Sequence, residues 1–188
     1  ILAAARSTFG PRVLTDVGHF GGFFALDDSP HGNVLVASTD GVGTKLLLGH
    51  QLGMISNLGR DLVQHSINDI LMCGAPPLFF LDYMAFGRIV PDVAATLAES
   101  FAAACRDHGV ALLGGETAEM PDLYAPNHFD LAGTMVGIVK RDEMLDGSKV
   151  REGDILLGLT SDGLHTNGYS LARKVFETEI RTGQLKLL

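Results

Sequence analysis

The chain has 188 residues, of which 22 are acidic and 14 are basic, so its formal net charge is −8. This balance argues against a general nucleic-acid-binding surface, which needs an excess of lysine and arginine. Hydrophobic residues make up 46% of the sequence and glycine occupies 23 positions, which favours a packed core with many tight turns over a disordered chain. The length suits one domain and the start of a second.

The sequence predicts neither a membrane span nor a disulfide framework. No apolar run approaches the roughly 20 residues needed to cross a bilayer, and residues 1–6 lack the basic flank of a signal peptide. Cys73 and Cys105 show no zinc-ligand spacing, so we interpret both as reduced core thiols. We therefore expect a cytoplasmic protein without a membrane or nucleic-acid partner.

The hydrophobic pattern predicts the α/β fold class, with helices between strands and some strands paired as hairpins. In chain order, the predicted strands are residues 20–26, 33–38, 77–86, 111–113 and 128–140, and the predicted helices are residues 57–72 and 92–108. The second helix begins beside Pro91 and ends before Gly109, which suits a helix start and a C′ position.

Strand 77–86 is apolar on both alternating faces apart from Asp82, which indicates a sheet that is covered on both sides. One layer of helices covers only one face, and a second copy of the chain would cover the other. We therefore predict a homodimer.

A polar, glycine-bearing stretch at residues 146–153 suggests a domain boundary. We predict an ATP-binding and dimerisation domain over residues 1–147 and the beginning of a second α/β domain over residues 148–188. The second unit would open with a strand at residues 155–159, a loop, and a helix at residues 169–177.

The most informative motif is residues 39–45, which read TDGVGTK directly after an apolar strand. Glycine lets backbone N–H groups approach an anion, so the loop predicts a phosphate site. The spacing differs from that of a P-loop, and Asp40 would repel a bare phosphate. A Mg²⁺ ion held by carboxylates and phosphate oxygens resolves this conflict, and predicts further acidic residues near Asp40.

The first source of such acids is the predicted helix 57–72. Asp61, His65, Asn68 and Asp69 lie at i, i+4, i+7 and i+8 and form one polar stripe opposite an apolar face. A solvated helix face is the alternative, but such faces usually carry Lys and Glu pairs rather than short Asp and Asn side chains. We treat His65 as a possible support for the stripe and leave it out of the predicted site.

The second source is Glu116, which follows Gly114 and Gly115 at the predicted end of a strand. A simple turn is the alternative for this pair of glycines. A further anion site is predicted where the loop containing Ser161, His165 and Asn167 enters the helix at residues 169–177.

Two alternatives accompany that last site. Asn167 could serve only as the N-cap of the helix. Ser161 and His165 could suggest a hydrolase pair, but the sequence has no Gly-x-Ser-x-Gly elbow.

Together these motifs resemble the phosphoribosylformylglycinamidine cyclo-ligase family, also called aminoimidazole ribonucleotide synthetase. The resemblance covers essentially the whole chain and is carried, in order, by residues 7–14, 40–45, 68–69, 77–83, 114–121 and 161–170. Members of the family are longer, so the chain resembles their front portion with most of the second domain absent. His19 departs from the family pattern, because another small residue is expected at this position within residues 18–22.

The resemblance implies an ATP-dependent ligase that closes formylglycinamidine ribonucleotide to aminoimidazole ribonucleotide in de novo purine biosynthesis, giving ADP and phosphate. ATP would activate the formyl amide oxygen, and an internal nitrogen would then attack that carbon. The resemblance also implies a ferredoxin-like β/α first domain whose sheet pairs with that of a second copy in a closed dimeric barrel.

We assign three residues, Asp40, Asp69 and Glu116, to Mg²⁺, and we assign Asp40, Lys45 and Asp69 to catalysis. The predicted contacts to ATP are Gly41, Gly43, Thr44, Lys45, Asp61, Asn68 and Glu116. The predicted contacts to the nucleotide substrate are Ser161, His165 and Asn167. The alternatives are another ATP-dependent enzyme of the superfamily, such as an amidotransferase-linked synthetase or a thiamine-phosphate kinase, and a non-catalytic nucleotide-binding dimerisation fragment.

Overall fold

The structure, a computed structural model, describes residues 2–161 and 163–184. Residues 1, 162 and 185–188, which belong to the predicted domains, lie outside the described residues. The elements are α1 Leu2–Arg6, β1 Gly22–Ala25, β2 Asn33–Gly41, α2 Lys45–Gln51, α3 Leu58–Leu71, β3 Pro77–Phe86, α4 Pro91–Asp107, β4 Ala111–Glu119, β5 Phe129–Lys140, a 3₁₀ turn Arg141–Glu143, α5 Tyr169–Val175 and α6 Glu177–Thr182.

The predicted α/β class is confirmed by a single five-stranded sheet in the order β1, β2, β5, β3, β4. Strand β5 pairs antiparallel with both β2 and β3, while β3 pairs parallel with β4. The parallel pair is connected by α4, as expected for a crossover that needs a dozen or more residues.

Helices α3 and α4 pack side by side on one face of this sheet. The core between the two layers is filled by Leu62 and Ile70 of α3, Phe101 of α4, and Phe80 and Met135 of the sheet, all completely buried. Each such side chain contributes about 1.5–3 kcal/mol of burial free energy. A Cβ atom at Gly59 would lie 2.8 Å from the Ser100 side chain, so this glycine sets the close approach of the two helices.

The other face of the sheet is open within one chain. Leu81 and Tyr83 of β3 and Leu113 of β4 are exposed there, Leu113 by 63%. Cover on both sides of β3, which its apolar sequence predicts, is thus not provided by the described part of the chain itself.

A β-bulge at Leu113 changes the alternation of β4. Phe80 pairs with Leu112, whereas the next residue of β3, Leu81, pairs with Gly114. Leu113 is therefore an extra residue, and every later side chain of β4 is shifted to the opposite face.

Three predictions about elements need correction. Strand β4 continues to Glu119 instead of ending at residue 113, and a helix, α2, follows the TDGVGTK loop directly. The predicted strand at residues 155–159 is wrong, because these residues have no strand partner among the described residues and their apolar side chains are almost fully exposed. A strand requires a neighbour for its backbone hydrogen bonds.

Residues 141–161 and 163–184 contain no buried side chain. Met144 packs against the hydrophobic core, whereas the residues that lead into α5 are attached by polar contacts, which also build the site below. Across the described ranges, the helices are too short or too polar to cross a bilayer.

Candidate functional site

The polar side of α3 faces residues 160–161 and 163–166 and encloses a cavity with them. The apolar side of α3 packs against β2 and β5. Because residues three and four apart share one face of a helix, Asp61, His65 and Asn68 lie together on the opposite side and line this cavity. The cavity measures about 370 Å³ and is lined by Asp61, Gln64, His65, Asn68, Thr160, Ser161, Gly163, Leu164, His165 and Thr166. The structure therefore brings the predicted helix stripe and the predicted substrate loop together.

Lys45, the first residue of α2, forms an ion pair and a hydrogen bond in this region. Its Nζ lies 2.5 Å from Asp61 Oδ2, and the two side chains are only 19% and 23% exposed. The same Nζ donates a hydrogen bond of 3.2 Å to the carbonyl oxygen of His165 and lies 5.1 Å from the centre of the Tyr169 ring. One ammonium group therefore joins α2, α3 and the segment that leads into α5.

The TDGVGTK loop lies at the edge of the cavity. Gly43 adopts a positive φ of 71°, which glycine accepts without strain. Gly41 donates its N–H to Asp40 Oδ1 at 2.7 Å, and the Thr44 hydroxyl lies 3.1 Å from the Ser170 hydroxyl. The loop is thus turned so that Asp40 Oδ2 points toward α3.

Asp40 Oδ2 faces His65, whose Nε2 lies 3.9 Å away. The other ring nitrogen of His65 makes a hydrogen bond of 2.8 Å with the Thr166 hydroxyl. Sequence reasoning left His65 and Thr166 out of the site. The signal was present for His65, which stands in the polar stripe, whereas Thr166 is identified only by its tertiary contact.

Asp69 lies deeper, on the same side of the sheet as Asp40. Ser38 donates to Asp69 Oδ2 at 2.9 Å, and Ser38 and Asp40 are two residues apart on one face of β2. Two residues of strand span about 6.6 Å, so the Asp69 carboxylate sits about one side-chain position away from Asp40. Asn68 is exposed at the cavity wall.

Glu116 is not brought to the other predicted metal ligands within one chain. A row of paired residues crosses the sheet through Asp40, Gly133, Asp82 and Gly115. Three strand spacings separate the ends of this row, about 14 Å. Glu116 follows Gly115 and pairs with Tyr83, so its side chain lies on the open face of the sheet, opposite to Asp40.

The remaining predicted residues lie in the loop before α5. Ser161 Oγ lies 2.9 Å from His165 Nε2 and donates to the carbonyl oxygen of Gly163 at 2.6 Å. Asn167 is exposed. Gly168, and not Asn167, is the N-cap of α5, and no side chain caps this helix. The N-cap alternative for Asn167 is therefore wrong.

A second acidic group, outside the predicted site, is perturbed by burial. Asp82 lies under α4, and its burial raises the pKa of its carboxyl group. Burial, followed by the nearby Asp82 carboxylate, raises the pKa of the Cys105 thiol to about 11. Neither Cys73 nor Cys105 forms a disulfide, and both are buried, as the sequence predicts.

The donor set suits a cation that is shared with a ligand. Among the residues that the structure describes, no three His, Cys, Asp or Glu side chains are gathered tightly enough to hold a metal ion by themselves. Mg²⁺ is typically held by one or two carboxylates together with phosphate oxygens. Asp40 offers a half-exposed carboxylate beside the cavity. The residues present therefore fit a Mg²⁺ ion that is held jointly by a protein carboxylate and by the phosphate oxygens of a ligand.

Comparison with known proteins identifies the family of the chain and finds solved structures with a similar fold. The model of a family described as AIR synthase related protein, N-terminal domain, matches residues 22–139. Curated relatives that match the chain carry the name phosphoribosylformylglycinamidine cyclo-ligase, and two of them illustrate the match. The one from Xanthomonas campestris pv. campestris (strain B100) is 51% identical over 172 residues, which are 92% of this chain and 50% of the relative.

The other, from Myxococcus xanthus (strain DK1622), is 55% identical over 172 residues, 91% of this chain and 50% of the relative. The chain thus spans about half the length of the curated relatives it matches. Among solved structures, T. maritima PurL complexed with ATP superposes with a TM-score of 0.57 at 16% identity, over 77% of this chain and 24% of that one. At this identity the likeness shows a shared fold.

Proposed function

The chain belongs to the AIR synthase related family, and from this membership we propose that it forms the ATP-binding portion of a phosphoribosylformylglycinamidine cyclo-ligase. The observation that carries the proposal is the identity of 51% and 55% to relatives of that name, sustained over 92% and 91% of the chain. The fold it shares with a protein solved in complex with ATP supports the choice of nucleotide.

In this proposal the reaction needs positioning and charge neutralisation more than a nucleophile from the protein. Bound Mg²⁺ would supply neutralisation of the phosphate charge. Asp40 would hold it first, because its carboxylate lies beside the cavity. Asp69 of α3, whose carboxylate accepts a hydrogen bond from Ser38 on the same face of β2 as Asp40, would support it from behind. Glu116 would reach such an ion only from another chain, since it lies on the opposite face of its own sheet.

Lys45 is proposed to bind the ATP phosphates. In the structure its ammonium group is already held by Asp61 and by the His165 carbonyl oxygen, so a phosphate would replace one of these partners. The exposed loop residues Ser161, His165 and Asn167 are proposed to contact the ribonucleotide substrate. The glycines of the TDGVGTK loop and Thr44 would provide backbone and hydroxyl contacts at the nucleotide end.

The test of the reaction uses the full-length protein that contains this chain. We expect formation of aminoimidazole ribonucleotide from the amidine substrate, ATP and Mg²⁺, followed by the colour of the diazotised amine. Asp40→Asn should lose most of this activity. Asp107→Asn, which changes an exposed carboxylate outside the cavity, should keep it. Turnover with a different acceptor, and none with the amidine, would refute the proposed reaction.

We also propose that two copies pair through the open face of the sheet, in the dimeric barrel that the family resemblance implies; the ferredoxin-like description of the domain remains a prediction. The apolar residues Leu81, Tyr83 and Leu113 on that face support this, because contiguous exposed apolar surface usually marks an interface. A dimeric purine-biosynthesis enzyme that uses cellular ATP is expected in the cytoplasm.

Light scattering after gel filtration tests the dimer. Leu81→Lys should convert the dimer to a monomer, whereas Leu123→Lys, at a loop position that is 70% exposed, should leave it dimeric. A monomeric unsubstituted chain at micromolar concentration would contradict the proposed pairing.

A further inference from the structure

His65 lines the cavity and has a buried ring nitrogen without a hydrogen-bond partner, whereas the buried oxygen of Asp61 has the Lys45 ammonium group beside it. The His65 side chain is only 14% exposed, and Nε2 is buried without any hydrogen-bond partner. An unsatisfied buried donor or acceptor costs about 1–3 kcal/mol. A polar ligand atom that bound beside Nε2 would form the missing hydrogen bond and remove this cost.

The position of Nε2 identifies the kind of atom that would satisfy it. The Thr166 hydroxyl can donate to Nδ1 or accept from it, whereas Nε2 faces the Asp40 carboxylate at 3.9 Å. The tautomer with its proton on Nε2 is therefore favoured, and that N–H points into the gap beside Asp40. A distance of 3.9 Å is too long for a direct hydrogen bond, so the N–H is available to a ligand oxygen.

We propose that His65 is a positioning residue, which binds the loop at residues 163–166 through Thr166 and donates its Nε2–H to a phosphoryl oxygen of the ligand held beside Asp40. The two nitrogens of one imidazole ring would then couple ligand binding to the position of the substrate loop, because Nε2 binds the phosphoryl oxygen while Nδ1 binds Thr166. This inference rests on the proposed function, because it requires a phosphate-bearing ligand in the cavity.

The cavity offers two sources for that phosphoryl group, the nucleotide and a ribose phosphate. Calorimetry on the full-length protein that contains this chain distinguishes them with two probes, ATP with Mg²⁺ and ribose 5-phosphate. His65→Asn keeps a polar group near Thr166 but removes the Nε2 donor. Loss of one hydrogen bond to a charged oxygen should weaken the affinity for the responsible probe about tenfold. The matched control His108→Asn changes an exposed histidine at the end of α4 and should change neither affinity.

A second variant separates the loop contact from the ligand contact. Thr166→Val removes the hydroxyl that holds Nδ1 and lies in an exposed loop, so the core should fold normally. Hydrogen exchange of the backbone amides at residues 163–166 should become faster in Thr166→Val and in His65→Asn, and ligand should slow it less than in the unsubstituted chain. Thr178→Val on α6 is the control.

The outcomes separate the two levels of the argument. Binding that His65→Asn leaves intact for both probes would overturn the role of His65 while preserving the proposed function. The same holds if His65→Asn leaves the exchange of the loop unchanged. Failure of the unsubstituted chain to bind either probe would refute the proposed function and the role of His65 with it.

Discussion

Lys45 and Asp61 form an ion pair whose strength can be measured by a double-mutant cycle. The variants are Lys45→Met, Asp61→Asn and the combination of both. Exposed ion pairs contribute about 0–1 kcal/mol, and breaking a fully buried pair costs about 3–5 kcal/mol. At 19% and 23% exposure the pair lies between these limits, so we expect a coupling free energy of about 2 kcal/mol.

The assay is urea unfolding followed by circular dichroism, because the sequence contains no tryptophan. Each single variant should lower the free energy of unfolding by about 2 kcal/mol, because it removes the attraction and leaves the other partner unpaired. The double variant should lose much less than the sum of the two single variants, since neither partner is then left unpaired.

The adjacent pair Arg60 and Asp107 provides the matched control. It joins α3 to α4 at 2.8 Å, but its side chains are 40% and 53% exposed, so its coupling should stay below about 1 kcal/mol. If the coupling of Lys45 with Asp61 were no larger than that of the control pair, the electrostatic role given to Lys45 would be refuted.

Three further predictions concern the core. Gly133→Ala should destabilise the fold by about 1–3 kcal/mol, because the new Cβ would lie 2.1 Å from the Phe80 ring; in urea unfolding, Gly10→Ala, which meets no atom within 4 Å, should be close to neutral, and equal midpoints would contradict the packing argument. The Cys105 thiol, with a pKa of about 11, should react with iodoacetamide at pH 8 only as fast as the chain unfolds, and rapid labelling of the folded chain would show that the thiol is accessible. Burial raises the pKa of Asp82, so the folded state holds this proton more tightly than the unfolded state, and the contribution of Asp82 to stability should fall as the pH rises from about 3.9 through the raised pKa. Asp82→Asn should remove that fall from the pH dependence of the urea midpoint, and identical profiles for the two proteins would contradict it.

The long elements were predictable because their patterns are strong and local. Strand β3 has the predicted bounds, and α3 and α4 differ from the predicted ranges by one residue at each end. The period of 3.6 residues also identified the helix stripe that lines the cavity. In these segments, local propensity and tertiary packing favour the same structure.

Strand β4 shows where local patterns are insufficient. Residues 114–119 contain two glycines and two glutamates and have low strand propensity, yet pairing with β3 extends the strand to Glu119. The bulge at Leu113 then decides which face Glu116 occupies. A bulge is set by the partner strand, so no pattern within β4 could have placed Glu116 on the face away from Asp40.

The site was predictable in its residue types but not in its contacts. The sequence placed Asp61 on a stripe and Lys45 at the end of a loop. Their ion pair depends on the start of α2, a helix that was not predicted. The partnership of His65 with Thr166 joins residues 101 positions apart, and only the folded chain brings them together.

The segment before and within α5 is joined to the core by hydrogen bonds from Lys45, His65 and Thr44, with no buried side chain among its described residues. Few bonds must break for it to detach, so its opening free energy is far below that of global unfolding. The segment can therefore open and close many times during the lifetime of one folded molecule. This local opening gives a ligand a route into the cavity while the layer of helices beneath it stays folded.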